Sequence, residues 1–320
     1  MRVPHATAYG MALGYLGDLL TGDPRRGHPV AGFGRAASAL ERRLWRDHRA
    51  AGALYTALCA GGTAALAALL ARRAGRAGAP ALTAATAWAV LGGTGLAREA
   101  RAVGAALAAG DTDRARELLP RLCGRDPAAL DERALARAVV ESVAENTSDA
   151  VVGALVWGAA AGVPGLAAFR AVNTLDAMVG HRSPRHRNFG WASARLDDLA
   201  GWPGARLTAA LAAAAGPDPR GALRAWRADG HRHPSPNAGP VEAAFAGALG
   251  VRLGGTLSYG GRVEHRPVLN AGGRPVEVAD IERAVALSRR VGALALVVCC
   301  AARAAGERLT GERVTGEGRR

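Results

Sequence analysis

Residues 141–176 read Glu141-Ser-Val-Ala-Glu-Asn-Thr-Ser-Asp149, then the uncharged run Ala150-Val-Val-Gly-Ala-Leu-Val-Trp-Gly-Ala-Ala-Ala-Gly-Val-Pro-Gly-Leu-Ala-Ala-Phe169, then Arg170-Ala-Val-Asn-Thr-Leu-Asp176. Carboxylates and carboxamides bracket an apolar segment. On a helix Glu141, Glu145 and Asp149 share one face, because each residue advances the chain by about 100°. Like charges so spaced repel by about a few tenths of a kcal/mol per pair. A divalent cation, a cationic substrate, nearby arginines or a solvated face would each compensate them, and the spacing leaves the choice open. A straight span would put Glu145 and Asp149 on one side of a membrane and Asn173 and Asp176 on the other. The Gly162-Val-Pro-Gly165 cluster offers a turn, so 150–169 is expected to be a re-entrant helix-turn-helix.

Working outward, residues 50–71 and 77–97 are likewise uncharged, and shorter runs occupy 207–217 and 291–302. At about 1.5 Å per residue the first of these is roughly 33 Å long, enough to cross a bilayer core. Residues 72–76, Arg-Arg-Ala-Gly-Arg, join the first two as the turn of a helical hairpin, placed in the cytoplasm by the positive-inside tendency. The fold expected is all-α: a polytopic helical membrane protein with about five apolar helical segments and long polar helical loops. One domain is expected over 1–305, and the Gly/Glu/Arg-rich tail 306–320 is expected to be disordered.

The formal charge of +14 does not point to nucleic acid. All 41 basic residues are arginine, as an Ala/Gly/Arg-biased coding sequence would give, aromatic residues make up only 4%, and no nucleic-acid module is present. An anionic membrane surface or phosphorylated substrates suit this charge better. The four cysteines lack metal-ligand spacing. Without lysine a Walker A site and Schiff-base chemistry are excluded, and there is no H-E-x-x-H, C-x-x-C or G-x-S-x-G. What remains is a set of carboxylates and asparagines with many arginines, suited to Mg²⁺ held by oxygen ligands beside substrate phosphates. Two proline-rich loops add candidates: 22–30 with Asp23 and His28, and 229–237 with Ser235 and Asn237. Gly254–Gly261 is a possible phosphate-cradling loop around Tyr259.

Gly22-Asp-Pro with His28-Pro-Val30, Glu141-Ser-Val-Ala-Glu-Asn-Thr147 with Asp149, Ala171-Val-Asn-Thr-Leu-Asp176 with Met178-Val-Gly180, Ser193-Ala-Arg195 with Asp197-Asp198, Ala205-Arg206-Leu207, Ser235-Pro-Asn237 with Glu242, and Gly247-Ala-Leu-Gly250 follow in one order. Together they resemble the CobD/CbiB family, the adenosylcobinamide-phosphate synthases of cobalamin biosynthesis, over roughly residues 10–300. Ala154 departs from a proline usual in the family, and 181–187 is more basic than its pattern.

The resemblance implies a multi-pass cell-membrane enzyme with its active-site loops on the cytoplasmic side. It implies an ATP-dependent ligase joining the free propionate of adenosylcobyric acid to (R)-1-amino-2-propanol O-2-phosphate or a related amino-alcohol phosphate, with ATP and Mg²⁺. Glu145, Asp149, Asp176, Arg195 and His28 are then the catalytic candidates. Asp149, Asp176, Asp197 and Asp198 would hold the metal. Asp23, Asn146, Asn173, Arg206, Ser235, Asn237 and Glu242 would bind substrate. Implied partners are the lipid membrane, a further copy of the chain and other cobalamin-assembly membrane proteins, with no nucleic acid. Two competing classes remain: a Mg²⁺-dependent membrane prenyl- or phosphotransferase, and a non-catalytic transporter or assembly protein whose acids are counter-ions to arginine.

Overall fold

The computed structural model describes residues 5–22, 27–128, 130–181, 183–259 and 262–317. In chain order its helices are α1 (Ala6–Thr21), α2 (Pro29–Leu44), α3 (Arg49–Thr56), α4 (Gly62–Val90), α5 (Gly93–Ala108), α6 (Thr112–Leu118), α7 (Glu132–Thr147), α8 (Gly153–Leu175), α9 (Trp191–Ala215), α10 (Pro219–Asp229) and α11 (Ala238–Leu249). The antiparallel strands β1 (Leu253–Tyr259) and β2 (Arg262–Leu269) follow, and α12 (Ala279–Glu317) closes the chain. Contacts sort these elements into two compact units. The first is Met1–Gly92, Gly153–Ala200 and Ala295–Arg320; the second is Gly93–Val152 and Gly201–Leu294. Helix α12 runs on into the stretch where composition predicts a disordered tail.

In the first unit helices pack by bringing backbones together. A Cβ built on Gly10 of α1 would stand 2.5 Å from the Thr83 Cβ of α4, and one on Gly14 the same distance from that of Ala87. This is the small-residue seam by which helices associate where no water drives them together. The rest of α1 turns Tyr9, Leu13, Leu16 and Leu20 outward, with Leu20 84% exposed, and Leu54, Leu58, Leu66, Leu69 and Leu70 are exposed further on. Such apolar exposure on a helical unit marks a lipid-facing surface. Among the described residues three helical stretches are long and apolar enough to cross a membrane: Arg49–Ala108, Glu132–Gly180 and Ala279–Arg308. The expected runs 50–71 and 77–97 merge in the first, and the run at 207–217 is not among them.

Two of the long helices turn back on themselves at glycine. In α4 the break is Gly75 (φ 59°, ψ −164°), inside the predicted Arg72–Arg76 turn. In α8 it is Gly162 (φ 65°, ψ −142°), within the Gly-Val-Pro-Gly cluster. The limbs of α8 return side by side: a Cβ on Gly153 would meet the Phe169 ring at 2.3 Å, one on Gly158 Leu166 at 2.9 Å, and one on Gly165 the Trp157 carbonyl at 2.1 Å. These pairs straddle Gly162, so residues 153–175 form the helix-turn-helix expected from the sequence.

The second unit is built on α7, whose Leu135, Val139, Val140 and Val143 are fully buried. Helices α10 and α11 approach closely, with a Gly247 Cβ falling 2.2 Å from the Gly221 carbonyl. The β1–β2 hairpin occupies the stretch read from sequence as a glycine loop, and Gly260 and Gly261 lie outside the described residues. Arg101 of α5 grips Glu282 at the start of α12 with two hydrogen bonds of 2.8 and 2.6 Å.

Gly162 occupies backbone space that essentially only glycine enters, so Gly162→Ala should cost about 1–3 kcal/mol of unfolding free energy. Gly62 has helical φ and nothing within 4 Å of a built Cβ, so Gly62→Ala should be neutral or stabilising. Denaturant unfolding of detergent-solubilised variants measures both. Equal effects at the two positions would contradict the hairpin.

Candidate functional site

The sequence-predicted residues divide between the two units. In the first, α8 passes at Leu175 into a π turn, Asp176–Gly180, before α9 begins. Such turns admit an extra residue into a helix and are frequent at functional sites. This one sets the Asp176 carboxylate against the backbone of Gly180, where a Cβ would lie 1.8 Å from Oδ1. Only glycine leaves that space. Asn173, one turn earlier, donates to the Asp197 carboxylate of α9. Burial first, then the charges of Asp176 and Asp198, push the Asp197 carboxyl up to about 7, with the Asn173 hydrogen bond opposing them. Three half-buried carboxylates and a carboxamide therefore share one patch. Arg195 pairs with Asp198 at 3.3 Å along the surface of α9.

His28 lies in the same unit as the N-cap of α2, its Nδ1 accepting the Val30 N–H at 3.2 Å. That bond leaves the neutral ring its proton on Nε2, so a base role would require His28 to release the cap. It also lines a cavity of about 840 Å³ with Arg35, Arg42, Thr174 and Met178. The basic stretch after Gly180 is held down rather than loose. Arg185 and His186 both bond Glu41 of α2, at 3.1 Å, and Arg185 lies over the Trp45 ring. Asp23 lies outside the described residues.

In the second unit Glu141 is fully buried, and arginine is its compensation. Arg125 forms a salt bridge to Oε2, Arg137 stands 4.0 Å from Oε1, and the Gly254 N–H donates to Oε1 at 2.6 Å. Asp149 leaves the register of α7, because a second π turn, Ser148–Val152, intervenes. Asn146 donates to the Ser142 carbonyl at 2.9 Å. Glu145 meets residues from elsewhere in the unit: Glu145, His233 and Glu242 bring one ligand atom each to within 4.8 Å of one another. Among the described residues this is the group with metal-ligand geometry. Burial, then the Glu145 and Glu141 charges, push the Glu242 carboxyl well above the usual range. Burial and the Arg266 charge hold the His233 imidazole below its ordinary value.

The remaining candidates shape this neighbourhood. Ser235 Oγ accepts the N–H groups of Asn237 and Ala238 and so caps the entry to α11. Asn237 is buried and accepts from Arg206 at 2.9 Å, while Arg206 also stacks over Trp202. His233, Arg125 and Arg266 were not singled out from the sequence. Separately, a cavity of about 420 Å³ is lined by Arg133, Arg137, Arg252, Gly254, Gly255 and apolar residues including Val268. Three guanidiniums about one opening suit a phosphate-bearing ligand with an apolar part.

A family model described as CobD/Cbib protein matches residues 11–288. The cobalamin biosynthesis protein CobD of Mycobacterium tuberculosis H37Rv is 55% identical over 295 residues, covering 91% of this chain and 94% of that one. The protein of that name from Rhodobacter capsulatus is 42% identical over 272 residues, covering 83% and 86%. That from Chromobacterium violaceum is 42% identical over 294 residues, covering 89% and 93%. No solved structure matches the chain significantly.

Two substitutions test the electrostatics. The folded state keeps the Asp197 proton up to about pH 7, whereas an unfolded chain releases it near pH ~4. The folded state therefore binds the extra proton in that window, and stability falls as pH rises through it. With divalent cations chelated, Asp197→Asn should raise the unfolding temperature at pH 8, and the gain should vanish near pH 4. A gain unchanged with pH would contradict the shift. Arg125→Met should cost about 3 kcal/mol, the lower end for stranding one member of a buried ion pair, because Gly254 and Arg137 remain beside Glu141. Denaturant unfolding measures it, and a loss below about 1 kcal/mol, the worth of a surface pair, would contradict the pairing.

Proposed function

The chain belongs to the CobD/CbiB family, and from that premise we propose that it is an ATP-dependent carbon–nitrogen ligase of cobalamin biosynthesis. Its substrates are adenosylcobyric acid and (R)-1-amino-2-propanol O-2-phosphate or a related amino-alcohol phosphate. The product is adenosylcobinamide phosphate, formed at the cell membrane. The observation that carries the chemistry is the oxygen-only cluster of Asp176, Asp197, Asp198 and Asn173.

A carboxylate resists attack by an amine, because its charge repels the nucleophile and it has no leaving group. Bound Mg²⁺ and ATP would supply a phosphoryl group to one carboxylate oxygen; the amine then displaces inorganic phosphate and loses its proton as the amide forms. The donor set fits Mg²⁺, which prefers carboxylate and carbonyl oxygen. Burial is the larger cause of the raised Asp197 carboxyl, and the repulsion from Asp176 and Asp198 that adds to it is what a cation would relieve. Asp176, Asp197 and Asp198 are not drawn together as tightly as Glu145, His233 and Glu242. In this reading one or two of them would therefore hold the ion beside water and ATP phosphate oxygens, and Asn173 fixes Asp197. Arg195, already beside Asp198, offsets charge developing on phosphate oxygens.

The test is turnover by detergent-solubilised protein with ATP, Mg²⁺, adenosylcobyric acid and the aminopropanol, ethanolamine and threonine phosphates, with the corrinoid followed by mass spectrometry. A corrinoid heavier by the amine minus water is expected. Unchanged corrinoid with all three amines would overturn the proposal and favour a transferase. Asp176→Asn should lower turnover by about 10²-fold or more, the scale for losing a group that meets developing charge. Gly180→Ala should lower it comparably, because the added methyl takes the place of the Asp176 carboxylate. Near-normal turnover by Gly180→Ala would contradict that placement.

A further inference from the structure

The Glu145–His233–Glu242 cluster offers an imidazole nitrogen that the oxygen-only patch lacks. It is assembled from three separate elements of the second unit: Glu145 from α7, Glu242 from α11, and His233 from the loop that links α10 to α11. Donors bound to one ion at about 2.0–2.2 Å can be no farther apart than about 4.4 Å. The observed limit of 4.8 Å is thus within a side-chain adjustment of a few tenths of an ångström per donor.

A second observation points into the same space. Glu242 is 2% exposed, and its Oε1 has no hydrogen-bond partner. That atom faces His233 Nε2 at 3.6 Å. A buried carboxylate oxygen left in this way is costly; a proton shared with Glu145 relieves it in the empty site, and a cation would relieve it in an occupied one.

The histidine is set to ligate. Arg266 can only donate, and its guanidinium lies 3.0 Å from Nε2, so Nε2 presents a lone pair. Nδ1 lies 3.0 Å from the Ser235 N–H, which donates to it, and 3.4 Å from the Ser235 carbonyl. A neutral ring cannot accept from both Ser235 and Arg266, and an ion on Nε2 that displaces Arg266 would put the ring proton on Nδ1, facing the carbonyl. Backbone contact at Nδ1 is the usual support of a metal-binding imidazole. The loop is drawn tightly around the ring, since a Cβ on Gly239 would lie 2.7 Å from the His233 Cβ.

We propose that Glu145, His233 and Glu242 form a site for a divalent transition ion of the manganese-to-zinc series, with Arg266 the cation that faces His233 when the ion is absent. One imidazole and two carboxylates select such ions over Mg²⁺ and Ca²⁺, which favour oxygen alone. The site is distinct in ligands from the Asp176–Asp197–Asp198 patch and does not depend on the ligase reading.

Tag-free, full-length protein from a corrinoid-free host, stripped with chelator and reloaded with Mn²⁺, Fe²⁺, Co²⁺ or Zn²⁺, should retain at least one of them stoichiometrically after desalting. His233→Gln and Glu242→Gln should weaken retention about 10–100-fold, while Asp197→Asn should leave it unchanged. Loss of retention in Asp197→Asn alone, equal retention by wild type and both cluster variants, or no retention of any of the four ions by wild type would each overturn the assignment. X-ray absorption on the zinc-loaded wild type decides the matter even where a variant fails to fold. Imidazole in the first coordination shell supports the site, and a shell without it excludes the site.

Discussion

The first unit depends on one constraint: a carboxylate can enter a stack of apolar helices only where a helix opens to receive it and nothing with a Cβ stands in the way. Asp176 meets both conditions. The π turn Asp176–Gly180 opens the end of α8, and the bare Cα of Gly180 gives the carboxylate its seat. Around this seat Asn173, Asp197 and Asp198 gather, and burial first, then repulsion from Asp176 and Asp198, raises the Asp197 carboxyl. Glycine plays the same part at larger scale, since the backbone signs at Gly75 and Gly162 turn α4 and α8 back on themselves. Both turns depend on conformations that residues with side chains avoid.

The second unit handles its acids differently. Glu141 is neutralised by Arg125 and a backbone N–H, which makes it a structural residue that ties α7 to β1. Glu145, a turn later on the same helix, is turned towards Glu242 and His233. Adjacent turns of one helix thus carry one acid paired with arginine and one that faces a second carboxyl and an imidazole. The alternative of arginine compensation, left open by the spacing, holds for Glu141.

Much of this was legible in the sequence because it rests on composition and local chemistry. Uncharged length identified the membrane helices, and the Arg72–Arg76 and Gly162–Gly165 clusters marked both hairpin turns. The ordered motifs identified the family. What could not be read was tertiary. A π turn has no distinctive local pattern, so the common face drawn through Glu141, Glu145 and Asp149 ends at Thr147. His231 and His233 sit in one proline-rich loop with nothing to distinguish them, yet His231 is exposed and His233 buried. The glycines at 254–255 suggested a phosphate loop, whereas with positive φ they open a β-hairpin. His28, taken from its motif as a base, is engaged as a helix cap.

The central claim is that the chain activates a carboxylate by phosphoryl transfer beside a cluster of carboxylates. Its most direct test follows oxygen. Adenosylcobyric acid labelled with ¹⁸O in the reacting carboxylate is converted in the presence of ATP, Mg²⁺ and the amino-alcohol phosphate, and the phosphate and nucleotide are analysed by mass spectrometry. The account predicts ¹⁸O in inorganic phosphate, in step with amide formation and with ADP as the nucleotide product. Label in AMP, or amide formed with no label in phosphate, would contradict it.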